Sequence, residues 1–232
     1  SLILDFTKHF NHLKKVGDGY AVSEPGVFYR DFEKVTLEKG WLLPSYPASR
    51  EICAIGGMVN NNSGGEKSLI YGKTQNYVEE IKVVLRDGQE HTFKKISKAE
   101  LNQKRRQEDF EGEIYRQVHD LLDKNQDLIK QSRPRVSKNS SGYNIWDVWD
   151  GEHFDLTKLF VGAQGTLGIM TEAKLRLIRQ KTSSGMLVIF LKDLLKLDQI
   201  VNVVMPLKPS SFEAFDDHTL KLALKFFRGF LK

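Results

Sequence analysis

Apolar and polar positions change rhythm several times along the 232 residues of this chain, and each change predicts an element. Leu2-Ile3-Leu4-Asp5-Phe6 is a short apolar run and predicts a strand. Gly17-Asp18-Gly19 is a turn signal, and Tyr20-Ala21-Val22 behind it predicts a second strand. Pro25-Gly26 marks another turn. Val27, Phe28, Phe32, Val35 and Leu37 then fall at helical spacing within residues 27–39, and Gly40 is placed to stop that helix. Trp41-Leu42-Leu43 runs into Pro44-Ser45-Tyr46-Pro47, where each proline pushes the residue before it toward extended backbone. Residues 78–85 predict a strand. Arg86-Asp87-Gly88-Gln89 supplies a hairpin turn and His91-Thr92-Phe93 the return strand. Residues 98–131 are densely charged, with Leu101, Phe110, Ile114, Val118, Leu121, Leu122 and Leu128 as the apolar positions, which predicts one or two amphipathic surface helices ended by Pro134. Residues 173–178 predict a further strand. From Met186 the character shifts to strand (186–191), helix (194–204), strand (212–215) and helix (220–227), so a domain boundary is expected near Thr182.

The densest chemical signal is the stretch 52–72. Gly56-Gly57, Gly64-Gly65 and Gly72 punctuate it, and Asn60, Asn61, Asn62 and Ser63 lie between the two pairs. Glycine permits positive φ and close backbone approach, while asparagine tolerates left-handed backbone and offers both a donor and an acceptor. Such a segment either folds backbone N–H groups around an anion or makes two tight turns flanking a short helix, and the glycines alone leave both open. It is not a Walker loop, because no Gly-Lys-Ser/Thr follows, nor does it show G-x-G-x-x-G.

Composition narrows the class only a little. With 40% hydrophobic and 28% charged residues the chain is an ordinary globular sequence, and no apolar run nears the length that spans a bilayer. The single cysteine, Cys53, excludes an intrachain disulfide; its neighbours Ile52, Ala54 and Ile55 suggest a buried structural thiol in a reducing, cytoplasmic compartment, with a place peripheral to a membrane left open. The net charge of +5 is mild. Its local excess, in Lys104-Arg105-Arg106 and in Lys130, Arg133, Arg135 and Lys138, lacks interleaved aromatics and reads as a solvated helix face rather than a nucleic-acid site. Of the six histidines only His9 and His12 stand close together, three apart, so no metal site is expected. No Gly-x-Ser-x-Gly elbow is present.

Three segments in order carry a family resemblance. The first is Pro44-x-x-Pro47-x-Ser49 with Ile55-Gly56-Gly57-x-x-x-Asn61-x-x-Gly64-Gly65 and Tyr71-Gly72. The second is Lys138-Asn139-x-Ser141-Gly142-Tyr143-Asn144, and the third Leu159-Phe160-Val161-Gly162-x-x-Gly165-Thr166-Leu167-Gly168-Ile169-x-Thr171-Glu172-Ala173. Together they resemble the FAD-binding domain of the vanillyl-alcohol-oxidase (PCMH-type) superfamily, nearest to its D-lactate dehydrogenase and glycolate oxidase branch. The resemblance runs from Leu2 to about Ile178 and includes Pro25-Gly26-Val27 and Val83-Val84-Leu85-x-Asp87-Gly88.

The resemblance implies an α+β fold in which two subdomains clasp FAD, an antiparallel sheet flanked by helices forming most of the second. Residues 1–182 would be the FAD-binding domain without its N-terminal pyrophosphate loop, and residues 183–232 the start of an α+β cap domain. Phe212-Glu213-Ala214-Phe215-Asp216 resembles a family pattern near that point. Carried over by position, Pro44, Gly56, Gly57, Asn61, Ser63 and Gly64 would lie along the ribityl chain and pyrophosphate. Gly165, Gly168 and Ile169 would approach the adenosine end, with Pro25 and Gly26 near the nucleotide. Tyr143 is expected either to stack on a planar ring or, more simply, to pack. The implied activity is FAD-dependent oxidation of a small 2-hydroxy acid by hydride transfer to the flavin, with an unidentified electron acceptor and no nucleic-acid partner. Catalytic residues would lie in segments outside this sequence, so the chain by itself is expected to be inactive. The alternatives are an alcohol or sugar oxidase or an enolpyruvyl reductase of the same superfamily and, in other classes, a basic nucleotide- or nucleic-acid-binding module or a cofactor-free scaffold.

Overall fold

The computed structural model describes residues 3–136, 139–181, 183–227 and 229; Leu2, Lys138 and Thr182, on which expectations above fall, lie outside them. The chain folds around a six-stranded, wholly antiparallel sheet of order β1-β2-β7-β4-β5-β6. Its strands are β1 (Leu13–Val16), β2 (Tyr20–Ser23), β4 (Val78–Val84), β5 (Glu90–Ser97), β6 (His153–Asp155) and β7 (Ile169–Arg176). A separate two-stranded ribbon pairs β3 (Trp41–Leu42) with β8 (Ile178–Arg179). Both sequence-predicted turns form, with Gly19 at φ +79° between β1 and β2 and Gly88 at φ +74° between β4 and β5.

Alternation along the strands gives the sheet two unlike faces, as expected of an antiparallel sheet solvated on one side. Ala173 and Leu175 of the inner strand β7 are fully buried, and Ala173 lies in register with both Ile81 and Ser23. Phe93 stacks on Phe160 and meets Tyr115, which in turn meets Phe154. These rings pack the sheet's apolar face against α5 (Phe110–Lys124) and α7 (Thr157–Phe160). The opposite face carries charges that alternate in sign across the strands. Lys14 Nζ lies 2.7 Å from Glu172 and 3.3 Å from Glu24, and Lys82 Nζ lies 3.0 Å from the other oxygen of Glu172.

Helix α1 (Tyr29–Glu38) buries Tyr29, Phe32 and Thr36, and Gly40 ends it at φ +75° with its N–H on the Leu37 carbonyl. The charged stretch forms three helices rather than one or two: α4 (Lys98–Arg106), α5 and α6 (Gln126–Ser132). Ser97 with Glu100 makes a capping box at the start of α4, and Asp109 caps α5, so two local start signals divide the stretch. Two short helices, α2 (Ile55–Asn60) and α3 (Ser68–Tyr71), occupy the glycine stretch. Cys53 is half-buried, and burial pushes its thiol upward.

Three predicted strands are absent. Residues 3–6 are irregular: no strand among the described residues pairs with them, and the Phe6 carbonyl instead accepts from Phe10 N–H in a turn. Residues 186–191 and 212–215 are irregular as well, with Met186 and Phe190 each 88% exposed. The two helices expected in that region do form, as α8 (Leu197–Val204) and α9 (Asp217–Phe226). Helices close their hydrogen bonds internally, whereas a strand needs a neighbour. No described residue after Lys181 is buried.

Candidate functional site

Helix α2 is held at both ends by distant chain. At its start, Ile55 N–H donates to the Val27 carbonyl at 2.9 Å and Gly56 N–H to that of Pro25 at 2.8 Å, while Tyr29 N–H donates to Cys53 at 2.8 Å. The Pro25-Gly26-Val27 turn is thereby laid along α2, and Gly26 N–H reaches the Phe10 carbonyl at 2.7 Å. At the far end the loop 161–168 clamps onto the asparagine run. Gly162 N–H donates to the Val59 carbonyl and Gln164 N–H to that of Asn60, each at 3.0 Å. Asn60 Oδ1 accepts from Gly165 N–H at 3.2 Å while its Nδ2 donates to the Gly56 carbonyl, and Asn61 Oδ1 accepts from Gln164 Nε2 at 3.0 Å. Asn62, left-handed at φ +47°, accepts from Gln75 N–H through Oδ1.

Between these clamped segments lies a cleft of about 640 Å³. It gathers Pro25, Gly26, Gly56, Gly57, Gly165, Gly168 and Ile169, seven of the residues singled out from sequence. The glycines among them divide into two kinds. A Cβ on Gly26 would stand 2.2 Å from the Phe6 carbonyl oxygen, on Gly56 2.6 Å from Pro25 Cβ, and on Gly168 2.5 Å from Val83 Cγ1, so these three are small because protein packs against them. A Cβ on Gly57 or Gly165 would meet nothing within 4 Å, so these two open onto the cleft.

Pro44, Asn61, Ser63 and Gly64 are not brought to it. Pro44 is buried in a turn and Ser63 in irregular chain just past α2, Ser63 supplying its carbonyl to Thr74 N–H and Oγ1; Asn61 is held by Gln164, and Gly64 packs on Ser68 and Lys73. Tyr143 is 45% exposed and shares a hydrogen bond with Thr166, so the structure shows neither stacking nor tight packing for it. Sequence reasoning missed Asn60 and Gln164, both of which line the cleft. The signal available for Asn60 was the asparagine run itself; Gln164, at φ +56° between Gly162 and Gly165, carried none.

Among the cleft-lining residues Asp5 alone is ionisable, and hydrogen bonds from Thr7 hold its carboxyl below the usual range. The remaining wall is backbone, apolar side chains, the Thr7 hydroxyl and two carboxamides. Such a wall holds a ligand by shape and peptide dipoles rather than by ion pairs. Among the described residues no group of three metal-ligating side chains occurs, and no helix is long and apolar enough to cross a membrane.

The comparisons agree with this geometry. The family model of the FAD binding domain matches residues 1–94. The chain is 25% identical over 227 residues to a D-2-hydroxyglutarate dehydrogenase of Pseudomonas putida, covering 97% of this chain and 23% of that protein. Against the glycolate oxidase subunit GlcD of Bacillus subtilis it is 29% identical over 223 residues, 94% of this chain and 37% of the relative. Against a D-2-hydroxyglutarate dehydrogenase of Stutzerimonas stutzeri it is 31% identical over 208 residues, 89% and 34% respectively. The chain thus spans less than two fifths of the length of each of these relatives. FAD fits the residues present in size and shape: the cleft is of ligand size, and Gly57 and Gly165 leave it free of side chains where a Cβ would intrude. Over residues 1–94 the chain is similar to the FAD binding domain, and its motifs and antiparallel α+β architecture agree with that likeness.

Proposed function

We propose that this chain is the FAD-binding part of a dehydrogenase that oxidises a small 2-hydroxy acid. FAD when bound supplies the hydride acceptor, and the protein supplies position and electrostatics. The observation that carries the reading is the cleft, where residues separated by more than a hundred positions meet around two glycines that open onto it. In this reading Gly57 and Gly165 admit the cofactor, and Asn60 holds the two walls together through Gly165 N–H. The three relatives named above are dehydrogenases of D-2-hydroxyglutarate or a glycolate oxidase subunit, which supports the substrate class.

A rival reading as a nucleic-acid module is weighed down by the ion pairs of the basic cluster. Lys104 lies 2.7 Å from Glu111, Arg105 3.5 Å from Asp120 and Arg133 2.9 Å from Asp147, so much of the local positive charge is met within the chain.

A titration with FAD followed by thermal melting and the visible spectrum tests the proposal. FAD at a hundredfold excess over its dissociation constant stabilises the native state by about 2.7 kcal/mol, a rise of roughly 5–10 °C for a chain of this size. No rise at millimolar FAD overturns the reading. The cleft wall holds no ionisable group besides Asp5, so glycolate, D-lactate and D-2-hydroxyglutarate are expected to leave the bound flavin oxidised in this chain by itself.

A further inference from the structure

One charge stands in the wall of the cleft, the carboxylate of Asp5. Its Oδ1 is occupied: Thr7 donates to it from N–H at 2.9 Å and from Oγ1 at 2.6 Å. Oδ2 accepts no hydrogen bond from the described residues, and no described cation forms an ion pair with the group. The hydrogen bonds from Thr7, with a weaker pull from Lys8 and His9, keep the carboxyl ionised at neutral pH. The other polar side chains of the wall are engaged within the protein. Asn60 bridges Gly165 N–H and the Gly56 carbonyl, and Gln164 Nε2 donates to Asn61. Asp5 Oδ2 is the charged acceptor left over for a ligand.

Asp5 is exposed, and in the open cleft water serves that oxygen. A ligand that fills the cleft displaces the water, and a charged acceptor stripped of its donors is costly. The ligand must therefore bring donors of its own. FAD carries no cationic group at neutral pH. Its ribose and its ribityl chain each carry adjacent hydroxyls, whereas its pyrophosphate is a dianion that Asp5 repels. Carboxylates accept from ribose hydroxyls in the dinucleotide sites of an unrelated fold, so the chemistry is sound in general.

We propose that Asp5 orients the dinucleotide in this cleft, accepting hydrogen bonds from the adjacent hydroxyls of one of its sugars and turning the pyrophosphate away. The inference rests on the flavin reading of the cleft and adds to it the residue that sets the direction of the cofactor. The chemistry recognised is a vicinal diol, and the experiment names the sugar that supplies it.

FAD affinity is measured by calorimetry near neutral pH and at constant ionic strength for the natural protein, Asp5→Asn and Asp5→Ala. Asparagine keeps the Thr7 bonds through its carbonyl and replaces the free acceptor with a donor; alanine removes both. Each variant is expected to bind FAD at least about tenfold more weakly, because hydrogen bonds to a charged group are lost. A carboxylate that only repelled the pyrophosphate would give tighter FAD binding in both variants, and that result overturns the proposal. A loss confined to Asp5→Ala overturns it too, since it assigns the effect to the Thr7 turn. Two FAD analogues, one lacking the ribose 2′- and 3′-hydroxyls and one lacking the ribityl hydroxyls, name the sugar. The analogue without the contacted diol is expected to bind the natural protein at least about tenfold more weakly than FAD does, and to match FAD in Asp5→Ala. No penalty for either analogue, or penalties that both persist in Asp5→Ala, overturns the proposal. Natural protein that fails to bind FAD at millimolar concentration overturns the flavin reading itself, whereas FAD binding unchanged in both variants overturns this inference alone.

Discussion

Gly56 and Gly57 are adjacent, identical in type and opposite in consequence. A Cβ on Gly56 would press on Pro25, whereas one on Gly57 would enter open space in the cleft. Neither lies at positive φ, so backbone strain does not complicate the comparison. Gly56→Ala is therefore expected to destabilise the protein by about 1–3 kcal/mol through overpacking. Gly57→Leu should hold or raise the melting temperature, because leucine in a helix is better than glycine by roughly 0.5–1 kcal/mol. It should also weaken FAD binding at least about tenfold by placing a side chain in the cleft proposed for the cofactor. Melting curves with and without FAD check both variants. A Gly57→Leu protein that keeps its FAD affinity would remove the cleft from consideration as the flavin site.

At the scale of elements, the outward face of the sheet is tied by Lys14 of β1, Glu24 just past β2, Glu172 of β7 and Lys82 of β4. Burial raises the Glu172 carboxyl, but hydrogen bonds and charge from Lys14 and Lys82 outweigh it and hold the group below its usual value. Glu24 behaves alike, with burial opposed by His12 and Lys14. A carboxyl whose folded pKa is depressed contributes stability above its unfolded value near 4.5 and loses it as pH falls through the lower folded value. The melting temperature is thus expected to fall more steeply below pH 4.5 in the natural protein than in Glu172→Gln. That variant should cost about 1–3 kcal/mol at neutral pH, since it leaves Lys14 and Lys82 without the shared carboxylate. Parallel pH–melting curves for the two proteins would refute this assignment.

At the scale of the whole molecule, burial ends with the sheet. The core draws on residues from Leu13 to Ile178, whereas Leu187, Phe190, Leu195 and Phe215 after it stand between 73% and 88% exposed. We infer that residues 183–232 contribute little to the stability of the part before them. A protein ending at Lys181 should melt within about 2 °C of the whole chain, a difference below roughly 1 kcal/mol. It should also bind less of a dye that reports exposed apolar surface. A drop of 5 °C or more, roughly 1–2 kcal/mol, would show instead that the tail supports the core.

Much of the fold was legible because its signals are local. Turn glycines at 19 and 88, the stop at Gly40, the helical spacing in α1 and α5 and the strand run at 78–84 each act through neighbours a few positions away, and all formed; the strand expected at 173–178 instead begins at Ile169 and breaks at Leu177. Residues 3–6, 186–191 and 212–215 carry strand-like composition too, but a ladder is made between segments, and no partner edge among the described residues meets them. The same division runs through the site. Residue type alone pointed to glycines and asparagines around something polar. Only the tertiary structure separated glycines that pack on protein from those that open a cleft, and gave the asparagines Gln164, Gly165 and Gln75 as partners. The reason is distance along the chain: Asn60 and Gly165 meet across a hundred intervening residues, and nothing in either neighbourhood records where the other will be.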